Sequence, residues 1–103
     1  MEDVVTALLL AAVTPQTVGE AYNLGGAVSI SLLDLARLLI ELNSGGTYQL
    51  QPFPADRKAI DIGDYYADFS KITLALGWQP RIPLAEGLAE TLDYYRAHHE
   101  HYW

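Results

Sequence analysis

Ionisable side chains gather in the middle of the sequence, where Arg57, Lys58 and Asp61 lie close to Tyr65. A guanidinium group matches phosphate oxygens, and a carboxylate matches a pair of neighbouring hydroxyl groups. These residue types would suit a ligand that carries both groups. Two alternatives stay open: the three charges are solvated on a loop, and Tyr65 is half-packed in a core.

Aspartates and histidines form two further clusters: Asp61, Asp64 and Asp68, and then His98, His99 and His101. The aspartates lack the spacing of an EF-hand loop, and Asp68 is better placed to cap a helix. His98 and His101 could share a helix face. A solvated helix end explains them better, because imidazole is favoured at the negative end of the helix dipole. We expect no metal site, and we expect Tyr102 and Trp103 to cover an apolar edge.

The composition predicts a single folded domain over residues 1–103, because half of the residues are hydrophobic and 18% are charged. A net charge of −7 argues against nucleic-acid and anionic-membrane partners. The absence of cysteine excludes disulfides, thiolate catalysis and cysteine-bound zinc. The longest apolar run, residues 4–13, is too short to span a bilayer, and the acidic start is untypical of a signal peptide. We expect a cytoplasmic protein.

Local signals predict four helices. Asp3 is suited to cap the first, which ends where Thr14 precedes a proline. Ser31 and Asp34 resemble a capping box before the second, which ends at a glycine pair. A third helix follows Asp68 over residues 69–76, and Pro83 suits the first turn of the last.

Strands are predicted where short apolar or alternating runs are bounded by glycine or proline. The expected strands are residues 21–24 and 47–50, with a third short strand at 65–67 inside an otherwise extended loop over 56–67. The predicted fold class is therefore α/β, a small helix-rich fragment with two or three short strands. So few strands do not make a self-sufficient parallel sheet.

Several segments, read in order, resemble the C-terminal, substrate-side portion of the extended short-chain dehydrogenase/reductase family. They are residues 2–7 (EDVVTA), 21–26 (AYNLGG), 31–36 (SLLDLA), 61–71 (DIGDYYADFSK), 76–80 (LGWQP) and 84–88 (LAEGL). The family includes NAD-dependent nucleotide-sugar epimerases and dehydratases. The resemblance implies an α/β fragment without the family's dinucleotide-binding Rossmann part.

Two motifs of complete family members are missing from these residues. Gly25 and Gly26 lack the third glycine of the pyrophosphate-binding turn. Neither Tyr65 nor Tyr66 has a lysine four residues later, as the family's catalytic tyrosine does. We therefore expect no catalytic residue, no NAD binding and no activity from this chain alone. The chain is then either an excised segment or a short or truncated reading frame.

The resemblance also assigns candidate substrate-binding residues. It places the loop that carries Arg57, Lys58 and Asp61 across a nucleoside-diphosphate sugar, with a cation on the diphosphate and the carboxylate on a ribose hydroxyl. Relatives have an arginine three residues before the aspartate, whereas here Lys58 stands there and Arg57 one residue earlier. Tyr65 falls beside the sugar ring, and residues 26–29 match the turn near the nucleobase.

The resulting hypothesis is a nucleotide-sugar-binding segment that is not catalytic alone, with weak or lost ligand binding. The alternative is a stand-alone, non-catalytic binding module or a truncated remnant that folds as an oligomer. Both predict self-association as a homodimer or small homo-oligomer, because the first helix and residues 21–24 would otherwise expose apolar surface.

Overall fold

The computed structural model describes residues 1–102, so the prediction for Trp103 lies outside the described residues. Five α-helices follow in order: α1 Glu2–Val13, α2 Leu32–Asn43, α3 Ala55–Lys58, α4 Ser70–Leu76 and α5 Leu84–Ala97. Single 3₁₀ turns cover Pro15–Thr17 and His99–His101. The four predicted helices are thus present, with bounds within about two residues of the expected ones.

Two helices begin where a nearby side chain accepts from a backbone N–H group that has no partner inside the helix. At the start of α2 the Asp34 N–H donates to Ser31 Oγ at 3.0 Å, and Ser31 Oγ donates to the Asp34 carboxylate at 2.7 Å. Before α4 the Asp68 carboxylate accepts from the Ser70 N–H at 2.8 Å. The predicted cap at Ser31 is confirmed. The prediction for Asp68 is only partly right, because the N-cap of α4 is Phe69 and Asp68 stands one residue before it, from where its carboxylate accepts from the first N–H of the helix. The left-handed residue after α2 is Ser44, with φ of 54°, and not one of the glycines as predicted.

The predicted role of Asp3 as a helix cap is wrong. Asp3 lies inside the first turn of α1, and its carboxylate accepts from the backbone N–H groups of Arg81 and Ile82 at 3.0–3.1 Å. Its carbonyl oxygen accepts from Trp78 Nε1 at 2.8 Å. Asp3 therefore ties the start of α1 to the loop between α4 and α5, a connection across more than seventy residues of sequence.

The core is small and lies between α1 and α4. Among the described residues only Ala7, Ile72 and Trp78 are buried hydrophobics. Partly buried side chains surround them, including Phe69, whose ring meets Trp78 edge-on at 6.0 Å. Away from this core α2 packs on α5, where the Arg96 guanidinium donates to Asn43 Oδ1 at 2.8 Å.

The predicted α/β fold class is wrong. Residues 1–102 contain no β-strand, and the stretches 21–24, 47–50 and 65–67 have no regular secondary structure. A strand is stable only beside a hydrogen-bonded neighbour, and residues 43–66 are exposed throughout. The extended loop predicted over 56–67 is also partly wrong, because the single-turn helix α3 occupies its first residues.

The chain leaves an unusually large surface open. Its accessible surface is 8519 Å², about 2,700 Å² more than a folded monomer of 11.4 kDa normally exposes. Its radius of gyration is 17.3 Å, against about 13 Å for a compact domain of this length. The helices thus cover only part of one another's apolar faces.

Candidate functional site

An open groove of about 430 Å³ lies between two segments that are far apart in sequence. One wall is the glycine turn, residues 24–29, and the other is the aromatic segment, residues 65–67 with Phe69. Tyr65 and Tyr66 line the groove and remain 69% and 70% exposed, so both rings are available to a ligand. The groove brings Tyr65 together with residues 26–29, two of the positions that the sequence singled out.

Gly25 allows the two walls to approach closely. A Cβ atom added at Gly25 would lie 2.5 Å from the Cβ of Ala67 and 3.2 Å from its carbonyl oxygen. Real Cβ atoms do not approach another carbon at such a distance, so any larger residue would push the walls apart. The width of the groove therefore depends on a glycine facing an alanine.

Lys71 joins the two walls just beyond the groove. Its ammonium donates to Glu20 Oε2 at 2.7 Å and to the carbonyl oxygen of Ala21 at 2.9 Å, and it lies 5.0 Å from the centre of the Tyr22 ring. The hydrogen bond from Lys71 holds the pKa of Glu20 below its ordinary value, and the same bond raises the pKa of Lys71. We call this set of contacts the Lys71 tie.

The predicted charged residues lie elsewhere. Arg57 and Lys58 occupy the last turn of α3, and Asp61 follows in the irregular segment after it. All three are exposed and none lines the groove. Within residues 1–102 none of them forms an ion pair with another side chain. Their assignment to a ligand stays a prediction.

NAD does not fit the glycine turn. The helix that follows this turn is α2, whose first N–H groups would have to face a pyrophosphate. Ser31 already caps that end, and the Asp34 carboxylate lies there, hydrogen-bonded to the Ser31 hydroxyl. A fixed negative charge at this helix end opposes a second anion. The described residues thus offer no dinucleotide site of the glycine-turn type.

Two other features are less suited to a ligand. A second open groove, of about 390 Å³, lies between α2 and α5, and its one charged side chain, Arg96, is already bonded to Asn43 and Asp93. Among the histidines, His98 stacks on Tyr94 with ring centres 4.3 Å apart. No group of three His, Asp or Glu side chains within residues 1–102 could hold a metal ion.

The sequence did not identify the contact of Gly25 with Ala67 inside the groove, nor the contacts of Lys71 just beyond it. Lys71 stands at the end of the DIGDYYADFSK segment, but nothing in its own neighbourhood predicts a contact with Glu20, fifty-one residues earlier. The Gly25–Ala67 approach is equally non-local and leaves no sequence signal. Also, no helix within residues 1–102 has the length and apolarity needed to cross a membrane.

The chain is similar to part of several nucleotide-sugar enzymes. It is 38% identical to a dTDP-glucose 4,6-dehydratase of Actinoplanes sp. over 79 residues, which is 77% of this chain and 24% of the relative. It is 36% identical to UDP-glucuronic acid decarboxylase 1 of Xenopus tropicalis, over 89% of this chain and 21% of the relative. A dTDP-glucose 4,6-dehydratase of Haemophilus influenzae is 35% identical, over 92% of this chain and 30% of the relative.

The chain spans about a quarter of the length of these curated relatives. No protein-family model matches it, and no solved structure matches it. Enzymes of two different names share the similarity, which fits the family expected from the sequence segments. The chain belongs to the extended short-chain dehydrogenase/reductase family, of which it corresponds to the C-terminal portion.

Proposed function

We propose that this chain is the nucleotide-sugar-binding segment of an NAD-dependent epimerase- or dehydratase-type enzyme. The observation that carries the proposal is the similarity to relatives whose names specify dTDP-glucose and UDP-glucuronic acid. Both compounds are nucleoside-diphosphate sugars, and the matches cover three quarters or more of this chain. The similarity thus supports the ligand class that the two names share and does not select one sugar.

The groove supports this ligand class by its shape and lining. The exposed rings of Tyr65 and Tyr66 offer apolar faces on which a base or a sugar ring can stack, with hydroxyl groups for hydrogen bonding. The opposite wall is backbone-rich, because it contains Gly25 and Gly26, and backbone groups can approach a ligand closely there. We propose that the base and sugar lie in this groove.

The charged residues between the two walls in sequence are the second part of the proposed binding site. The cations Arg57 and Lys58 would bind the diphosphate, and Asp61 would accept from a ribose hydroxyl. Because these residues are exposed and outside the groove, the segment must be ordered on binding, which costs about 1 kcal/mol or more for each residue fixed. We expect weak binding for this reason.

Titration calorimetry with dTDP-glucose and UDP-glucuronic acid tests the proposal, with NAD as the ligand expected not to bind. The double variant Arg57→Ala/Lys58→Ala should weaken binding by about tenfold or more. The control Arg37→Ala/Arg81→Ala removes the same charge from α2 and from the α4–α5 loop and should leave the affinity unchanged. Equal effects of the two variants, or no binding of either sugar nucleotide, would contradict the proposal.

We further propose that the chain has no turnover of its own and acts in the cytoplasm. It contains neither the three-glycine pyrophosphate-binding turn nor the Tyr-x-x-x-Lys pair that the resemblance associates with NAD binding and hydride transfer. It has no cysteine, so an oxidising compartment would bring it no disulfide. Product formation from either sugar nucleotide on addition of NAD, above that of a mock preparation, would refute the first part.

The alternative function is a non-catalytic module that folds as an oligomer. The large open surface favours it, because soluble monomers seldom leave extensive apolar surface exposed. We propose that the chain forms a homodimer or small homo-oligomer, whichever function it serves. Light scattering at micromolar concentration should return at least twice the mass of 11.4 kDa. A single species of the monomer mass would contradict this part.

A further inference from the structure

Lys71 supplies the hydrogen bonds that join the two walls of the groove. Within residues 1–102 no backbone hydrogen bond connects residues 20–29 with residues 65–71. The Lys71 ammonium joins them instead, because it donates to Glu20 Oε2 at 2.7 Å and to the Ala21 carbonyl oxygen at 2.9 Å. Both acceptors lie just before the glycine turn, so the Lys71 tie holds the base of that wall.

The other contacts between the two segments are apolar. Tyr22 and Leu24 pack against the core. Gly25 lies against Ala67. Such contacts keep the segments close but allow one to slide along the other, since the burial of apolar surface is non-directional. A hydrogen bond requires its donor and acceptor at a set distance and angle. The Lys71 tie is therefore the contact that fixes where the glycine turn stands along the aromatic segment.

The backbone of Lys71 is itself anchored at the core. Lys71 stands in the first turn of α4, next to Ile72, which is only 2% exposed. Phe69, two residues before Lys71, lines the groove, and its ring meets Trp78 edge-on at 6.0 Å. The aromatic wall is thus fixed on the core, and the ammonium of Lys71 positions the glycine turn relative to it.

The Lys71 ammonium is not placed to contact a ligand. Lys71 does not line the groove, and its charge is paired with the Glu20 carboxylate. The side chains of the pair are 55% and 48% exposed, and an ion pair as exposed as this contributes little to overall stability. Its contacts therefore matter more for the placement of the turn than for folding.

We propose that Lys71 is a positioning residue for the groove, which holds the glycine turn in register with the aromatic segment and so raises the affinity for a nucleoside-diphosphate sugar that it does not touch. The inference rests on the function proposed above and adds a residue outside the ligand contacts. Walls that are set before binding lose less conformational freedom when the ligand arrives, which favours affinity. Without the tie, the ligand itself has to align the two walls.

Titration calorimetry with UDP-glucuronic acid tests this role. Lys71→Met should weaken binding about fivefold or more, and Lys71→Arg, which keeps a charged donor, should restore the wild-type affinity. The matched control is Arg96→Met, which also removes a positive charge and a hydrogen bond between two segments, here to Asn43, but away from the groove. We expect the control to bind like the wild type. Equal affinity of Lys71→Met and the wild type, or no rescue by Lys71→Arg, overturns the proposal.

Glu20→Ala separates positioning from a direct contact with the diphosphate, because it frees the Lys71 ammonium from its carboxylate partner. Positioning predicts that the affinity falls, whereas a direct contact predicts that it rises. The double variant Lys71→Met/Glu20→Ala should bind no more weakly than Lys71→Met alone, since both substitutions break the same tie. A rise in affinity, or additive losses in the double variant, overturns the proposal.

A measurement without ligand keeps this inference separate from the proposed function. Because the chain has no cysteine, spin labels attach only at Val28→Cys and Tyr66→Cys, one on each wall. Lys71→Met should broaden the distribution of distances between the labels, whereas Arg96→Met should not. An unchanged distribution overturns the positioning role. If the distribution broadens but the wild type binds neither UDP-glucuronic acid nor dTDP-glucose, the proposed function fails together with the affinity part of this inference, while the positioning of the walls stands.

Discussion

Ile72 is the side chain on which the small core depends most, and its truncation gives the sharpest test of the fold. Ile72 is only 2% exposed, so Ile72→Ala deletes three carbon atoms that are buried away from water. At about 0.8 kcal/mol per carbon atom the transfer term is about 2.4 kcal/mol, and incomplete collapse of the cavity adds to it. Because partly buried neighbours such as Leu10 and Leu76 can move inward, the cavity adds little and we expect about 3 kcal/mol in total.

The same helix supplies the control. Leu74 lies two residues further along α4 and is 88% exposed, so Leu74→Ala should change the free energy of unfolding by less than about 0.5 kcal/mol. Urea unfolding followed by far-ultraviolet circular dichroism compares the two, at one protein concentration because self-association couples stability to concentration. An equal loss in both variants would refute the assignment of the core to the α1–α4 contact.

Three further changes test the contacts that hold the groove and α1. Gly25→Val should force the groove walls apart at Ala67 and abolish nucleotide-sugar binding in calorimetry, whereas Gly45→Val, where no heavy atom lies near and the backbone is not left-handed, should retain it. Two backbone N–H bonds lower the pKa of Asp3, so the stability that its carboxylate contributes is present above about pH 4 and is lost as the pH falls through the folded-state pKa. Asp3→Asn should therefore flatten the dependence of the melting temperature on pH between 7 and 3, and an unchanged slope would contradict this. Lys71→Met should lower the melting temperature more than Lys71→Arg, which keeps a charged donor, and equal melting temperatures of the two variants would show that the contacts of Lys71 with Glu20 and Ala21 do not stabilise the fold.

Local chemistry explains why the helices could be predicted. A cap such as Ser31 with Asp34, or a contact such as Asp68 with the N–H two residues later, involves groups within three residues of one another. Such contacts can be predicted, because both partners lie next to each other in sequence at the start of the helix. Asp3 shows the limit, because an aspartate near a helix start is a cap only if no stronger donors reach it. Here the N–H groups of Arg81 and Ile82 do so.

The candidate site was only partly predictable for the same reason. Tyr65 and the glycine turn were identified from the family resemblance, and the structure brings them together in one groove. The contacts that set its width, Gly25 on Ala67 and the Lys71 tie, join residues more than forty positions apart. Glycine, alanine and lysine are common in ordinary turns and helices, so residue type alone predicts no pairing between them.

The missing strands follow from the same contacts. Residues 21–24 and 65–67 would be adjacent strands if a sheet formed, since Gly25 contacts Ala67 at one end of the two segments. Yet no backbone hydrogen bond joins the two segments within the part of the chain that the structure describes. The Ala21 carbonyl, which a strand partner would use, accepts instead from the Lys71 ammonium. Two short strands alone are at best marginal in water, because a sheet needs further strands or a covering helix to bury one face. The side-chain tie and the glycine contact therefore hold the segments together as walls of a groove, without requiring a sheet.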